Sequence, residues 1–123
     1  MKVALTVWEN RISPVLDSAS MLVVIDIRKG MIVNKHYVPF YVELPHARAA
    51  LLADLGVRVL ICGAMSQLYE NLIQAYGIQI ISFVTGDIEN VLDAYLKGTL
   101  SRRTFQMPGI QPMRRRRFRG GRG

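Results

Sequence analysis

The spacing of apolar positions changes near the middle of the chain. Before residue 45 they fall in short, strand-like stretches; beyond it they recur every third or fourth residue, interrupted by two continuous apolar runs. Residues 2–8 read as a first strand, with Val3, Leu5 and Val7 on one face and Ala4 and Trp8 on the other. Residues 9–20 carry Asn10, Ser13-Pro14 and Asp17-Ser18, all turn formers, and read as a loop. Two further strands follow at 21–27 and 31–38. Only Arg28-Lys29-Gly30 separates them, so they are expected to pair as an antiparallel hairpin. Residues 39–45 read as irregular.

In the second half, Ala47, Ala50, Leu51 and Leu55 form a stripe that predicts a first helix, stopped by Gly56. The run 57–62 is a buried strand. Ser66 is placed to cap a second helix with the stripe Leu68, Leu72, Ile73 and Tyr76, ended by Gly77. Residues 78–84 are another apolar strand, and Thr85-Gly86-Asp87 opens a third helix carrying Ile88, Val91, Leu92, Tyr95 and Leu96 up to Gly98. Helix, strand, helix, strand, helix demands parallel strands joined by right-handed crossovers. The predicted class is therefore α/β: a three-layer α/β/α arrangement around a five-stranded mixed sheet, with an N-terminal antiparallel hairpin and a parallel βαβ second half. The run 57–62, with Gly at both ends, suits the centre of a sheet covered on both faces. Ligands of open parallel sheets sit where the chain leaves such a strand, so Gly63, Ala64, Met65 and Ser66 are the expected wall of a site.

Length sets one domain, expected over residues 1–100, since 123 residues suffice for a single core. No apolar run approaches the roughly 18 residues of a membrane span. The apolar run at 3–8 is too short for a signal-peptide core and is closed by Glu9. One cysteine, Cys62, permits no internal disulfide and fits a reducing compartment, so a soluble cytoplasmic protein without membrane contact is expected. The net charge of +7 is unevenly placed. Residues 1–98 hold eight basic and nine acidic side chains, whereas residues 99–123 hold eight arginines and no acid. The pattern is a near-neutral domain followed by a flexible, basic, Arg/Gly-rich tail over 101–123.

The chemistry on offer is narrow. The sequence has no Gly-x-Gly-x-x-Gly, no Lys-Ser/Thr phosphate loop, no His-Glu-x-x-His and no Cys pair. One Cys and two His cannot close a structural zinc site from a single chain. No serine stands in a Gly-x-Ser-x-Gly elbow and no nucleophile–base pair is evident, so no enzymatic activity is expected. Asp87, Glu89 and Asp93 fit a helix cap, a first-turn acid and a solvent face. His46, just after Pro45, reads either as a first-turn histidine in solvent or as a metal- or anion-contacting group at a helix start. His36 reads as an ordinary edge or surface position. Cys62 reads as a small buried hydrophobe or as a ligand at the strand exit, and Met65 as core filler or as a thioether donor to a soft metal.

The order of these segments resembles the dinitrogenase iron–molybdenum cofactor biosynthesis family, the NifX/NafY-type accessory proteins and their small free-standing relatives. The resemblance rests on Met1-Lys2-Val3-Ala4-Leu5 followed by Glu9-Asn10-Arg11-Ile12-Ser13, and on His46 ahead of a helix. It continues through Leu55-Gly56-Val57-Arg58-Val59-Leu60-Ile61-Cys62-Gly63-Ala64-Met65, Tyr76-Gly77-Ile78, Thr85-Gly86-Asp87-Ile88-Glu89-Asn90-Val91-Leu92 and Tyr95-Leu96-Lys97-Gly98-Thr99-Leu100. It implies a ribonuclease-H-like fold without nuclease chemistry. It also implies a non-enzymatic accessory role: binding or carrying an iron–sulfur or molybdenum-containing cluster, or its precursor, between donor and acceptor proteins. By the same resemblance Gly63, Ala64, Met65, Ser66 and Asp17 are the candidate cofactor-binding residues, and His46 and Cys62 the candidate metal ligands. Where relatives carry His-Phe-Gly after the first strand, this chain has Ser13-Pro14-Val15-Leu16-Asp17-Ser18-Ala19.

Two other readings compete. Arg114, Arg115, Arg116, Arg117, Phe118, Arg119 and Arg122 compose a segment able to contact phosphates and stack on bases, which would make the protein an adaptor for nucleic acid or an acidic partner. Alternatively, a small anion or nucleotide would sit where Ser66 caps its helix.

Overall fold

The computed structural model describes residues 1–40, 44–100 and 107. Its centre is β1 (Lys2–Trp8), a strand rich in β-branched and aromatic residues whose residues 3–7 are all buried. On one side β1 pairs antiparallel with β3 (Met21–Arg28), Leu5 opposite Val23; on the other it pairs parallel with β5 (Val57–Ile61), Leu5 opposite Ile61. Next to β3 lies β4 (Met31–Pro39), antiparallel, and next to β5 lies β6 (Gln79–Ile81), parallel. The sheet order is β4-β3-β1-β5-β6. The expected mixed sheet, with its antiparallel hairpin and parallel second half, is therefore present.

Three helices cover it: α1 (Pro45–Asp54), α2 (Gln67–Gln74) and α3 (Ile88–Lys97). Period-two alternation in the strands divides the core in two. Val3, Leu5, Ile25 and Ile61 pack with Ile88, Val91 and Leu92 of α3 on one face. Ala4, Leu22 and Leu60 pack with Ala49 and Leu52 of α1 and Tyr69 and Ile73 of α2 on the other. Gly56, Gly77 and Gly98 follow the three helices with φ between 75° and 79°, the left-handed geometry that ends a helix at little cost for glycine alone.

Four details depart from the sequence reading. Residues 9–20 are more than a loop. Glu9 and Asn10, both at positive φ, make a two-residue turn into a sixth strand, β2 (Arg11–Ile12), which pairs back on β1. A 3₁₀ turn follows over Leu16–Ser18. Second, the apolar run 78–84 yields only three strand residues, because Phe83 turns to φ 63° and breaks the pleat. Third, the helix stripes are rotated: α1 buries Arg48, Ala49 and Leu52, and α2 buries Tyr69 and Ile73, while Leu68 and Tyr76 lie in solvent. Fourth, Asp87 occupies the N-cap position of α3 without capping it through its side chain; its carboxylate pairs with Arg11 Nη1 at 3.2 Å. His36 lies on exposed β4 at the sheet edge, as expected.

Candidate functional site

The strand directions put every loop of interest at one end. Because β1, β5 and β6 are parallel, their carboxyl ends share one edge, and β4, antiparallel to a strand that is itself antiparallel to β1, ends there too. The helices that follow β4, β5 and β6 therefore all begin at this edge. The positive ends of the α1 and α2 dipoles lie at this edge on one face of the sheet; α3 begins on the other face, its Ile88 N–H bonded to the Asn10 carbonyl at 3.0 Å.

Gly63, Ala64, Met65 and Ser66 form the turn from β5 into α2. Ser66 caps α2 as predicted, its Oγ accepting from the Tyr69 N–H at 3.3 Å. The segment 13–17 lies across this turn as a strap. Ala64 N–H donates to the Pro14 carbonyl (2.8 Å), Leu16 N–H donates to the Ala64 carbonyl (2.7 Å), and Val15 and Ala64 form a parallel bridge. Ser66 N–H donates to Asp17 Oδ1 at 3.2 Å. Gly63 is buried where strap and turn touch, and a Cβ there would fall on the carbonyl oxygens of Ser13 and Pro14. Gly63 thus serves close approach by the chain's own backbone. All five candidate cofactor-binding residues lie together, in the strap and the turn it crosses.

The strap is held from behind. Leu16 is fully buried, and its carbonyl accepts from Arg48 Nη1 at 2.9 Å. Arg48 itself is 5% exposed, unusual for arginine, and its guanidinium lies 4.3 Å from the centroid of the fully buried Phe40 ring. Neither Arg48 nor Phe40 stood out in the sequence. The available signal was that Arg48 shares a helical face with Leu52, four residues on.

Cys62 directly follows β5, fully buried, with its Sγ 4.0 Å from Met65 Sδ. Burial first, then the negative charges of Asp17 and Glu70, push the thiol well above its ordinary range. His46 is exposed on the first turn of α1. Among the described residues no group of three or more His, Cys, Asp or Glu side chains is placed to hold a metal ion. The tail residues Arg114–Arg117, Phe118, Arg119 and Arg122 lie outside the described residues. Met107 is described, and its N–H donates to the Phe83 carbonyl at 3.0 Å, beside the same turn, since Phe83 N–H bonds the Gly63 carbonyl at 2.9 Å.

The thiol chemistry is directly measurable. In the folded protein Cys62 is expected to resist an aromatic disulfide reagent at mildly alkaline pH, and to react within seconds once denaturant is added. Fast reaction of the native protein would contradict its burial. The raised folded-state value also sets a sign. Below the ordinary thiol range it has no effect on stability; above it the unfolded chain releases a proton that the folded chain keeps, so stability falls as pH rises. Cys62→Ala should flatten that alkaline decline.

Comparison with known proteins places this geometry. A sequence profile of the family described as dinitrogenase iron-molybdenum cofactor matches residues 1–98. No curated protein matches the chain. Among solved structures, the crystal structure of PH0822 is similar with a TM-score of 0.75 at 19% identity, covering 80% of this chain and 92% of that one. The apo form of the orange protein from Desulfovibrio gigas is similar with a TM-score of 0.68 at 21% identity, covering 80% of this chain and 88% of that one. At these identities the structural likeness is one of fold. No described helix is long and apolar enough to cross a membrane.

Proposed function

This chain belongs to the dinitrogenase iron–molybdenum cofactor family, and we propose that it acts there as a non-enzymatic accessory protein that holds an anionic metal–sulfur cluster or its precursor as cargo. The observation that carries this reading is that α1 and α2, packed on the same face of the sheet, both begin at the end where the chain leaves β5, where helix dipoles favour negative charge.

The donor set refines the kind of cargo. Binding a cluster through protein ligands needs several deprotonated donors around it. Cys62 is fully buried with its thiol pushed up by burial, His46 is in solvent, and among the described residues no group of three or more His, Cys, Asp or Glu side chains is placed to hold a metal ion. A species that brings its own sulfide shell, such as a thiometallate or a preassembled cluster, needs only hydrogen bonds and a favourable field. The edge supplies both. Such cargo would be received from a donor protein and released to an acceptor without bonds to protein side chains having to break.

The test is anaerobic incubation with tetrathiomolybdate, or with iron, sulfide and molybdate, followed by desalting, metal analysis and visible absorption. Retained metal with a charge-transfer spectrum is the expected result. Protein that emerges colourless and metal-free from both incubations would overturn the reading.

A further inference from the structure

Two sulfur atoms meet where the chain leaves β5. Cys62 directly follows the strand, Met65 stands three residues on in the turn into α2, and their Sγ and Sδ atoms lie 4.0 Å apart. Cys62 is fully buried and Met65 half-buried, so the pair runs from the core toward the surface. Thiolate and thioether sulfurs are soft donors that select Cu(I)-like ions over harder ones. Two metal–sulfur bonds of about 2.3 Å, meeting at about 120°, hold their sulfurs about 4 Å apart, so the observed spacing suits an ion bound to both.

A separate observation points to the same spot. Thr6 of β1 is fully buried, and its Oγ1 has no hydrogen-bond partner. A buried hydroxyl left unpaired is costly and uncommon. β1 and β5 run parallel with Leu5 opposite Ile61, so the next residues along, Thr6 and Cys62, come side by side. Strand alternation turns both to the face covered by α1 and α2, where Ala4, Leu60 and Cys62 pack. The hydroxyl thus stands unused in the layer that holds the thiol. The surrounding charge favours a cation, since the carboxylates of Asp17 and Glu70 both act on the Cys62 sulfur.

We propose that Cys62 and Met65 bind a soft monovalent cation of the Cu(I) or Ag(I) class, and that the Thr6 hydroxyl donates to the Cys62 sulfur in the bound state. Binding exchanges the thiol proton for the ion. The S–H bond breaks, a sulfur–metal bond forms from the same electron pair, the proton leaves to solvent, and nothing is oxidised or reduced. A buried neutral thiol becomes a neutral metal thiolate, which is why a single positive charge suits the site. A divalent ion would leave net charge in the core. This ligand differs from the anionic cargo proposed above in kind and in sign of charge, so the two readings stand or fall separately.

The test is anaerobic titration of the full chain against Cu(I) held by the chromophoric chelator bicinchoninate, with proton release followed in weak buffer at neutral pH. Wild type is expected to withdraw a single Cu(I) per chain and to release a single proton with it. Met65→Leu keeps most of the side-chain volume and loses the sulfur, so binding should weaken about tenfold or more. Thr6→Val keeps the shape and removes the hydroxyl. It should weaken binding about tenfold, yet leave the ion-free protein as stable as wild type or more so, because the deleted group has no partner there. A purely structural threonine would show no such opposition. Uptake without proton release, or uptake that survives Cys62→Ala, would overturn the proposal by placing the ion elsewhere. So would wild type that leaves the chelator loaded, or Met65→Leu that binds as tightly as wild type. Undiminished binding by Thr6→Val would overturn the part assigned to the hydroxyl.

Discussion

Gly63→Ala is expected to lower folding stability by about 3 kcal/mol, read as a fall in the urea midpoint at unchanged slope. The added Cβ would lie 2.5 Å from the Ser13 carbonyl oxygen and closer still to that of Pro14. Both obstacles are backbone, and backbone cannot rotate away as a side chain does. Retreat of the strap would strain the pair formed by the Ala64 N–H with the Pro14 carbonyl and by the Leu16 N–H with the Ala64 carbonyl. Gly77 provides the contrast. Nothing lies within 4 Å of a Cβ built there, and its φ of 79° makes substitution a matter of backbone preference alone, about 1 kcal/mol. If Gly63→Ala proved no worse than Gly77→Ala, the strap would not be seated on the turn.

That contrast shows what the sequence could and could not carry. Gly56, Gly77 and Gly98 were legible as helix stops because each follows a periodic apolar stripe and stands where a left-handed residue is needed. The strands were legible for a similar reason, since β-branched runs between turn formers have few other uses. Gly63 was legible as the start of a turn, yet its partner was not. The strap reaches it through main-chain groups far off in the sequence, and main-chain groups leave no mark in a pattern of side chains. For the same reason residues 9–20, rich in turn formers, concealed both β2 and the strap. The rotated stripes have a different origin. On α1 the face that meets the sheet carries Arg48, and a hydropathy pattern assigns an arginine to solvent. Choosing an apolar stripe then moves the inferred face around the helix, to Ala47, Ala50 and Leu51. On β4 the sequence marked His36 as an edge or surface position, but only the sheet order makes the whole strand an edge. The turn that leads from β5 into α2 was legible in the sequence, while His46 and Cys62 differ in access: one stands in solvent and the other is fully buried.

Phe40→Ala should cost still more than Gly63→Ala, about 3–5 kcal/mol, because Phe40 is among the largest of the fully buried side chains. The loss has two parts that a double-mutant cycle can separate. The first is packing: a phenyl ring leaves the core between the sheet and α1, in the cluster that holds Leu22, Leu52 and Leu60. The second is the surface on which Arg48 rests, its guanidinium 4.3 Å from the ring centroid. A cation over a desolvated aromatic face is worth about 1–2 kcal/mol. Phe40→Ala, Arg48→Met and the double variant should therefore show a coupling of about 1 kcal/mol, whereas independent sites would give a coupling near zero. Phe40→Leu restores much of the volume without the aromatic face, so it should recover most of the packing loss and little of the coupling. The consequence reaches the candidate site, because the guanidinium that stacks on Phe40 also donates to the Leu16 carbonyl. Once the ring is gone, Arg48 has less to orient it, and the Leu16 amide should exchange faster even under conditions where the rest of the core is still folded. Exchange at Leu16 that rises only in step with global unfolding would show that Phe40 supports the core alone, and that the strap depends on Arg48 without it.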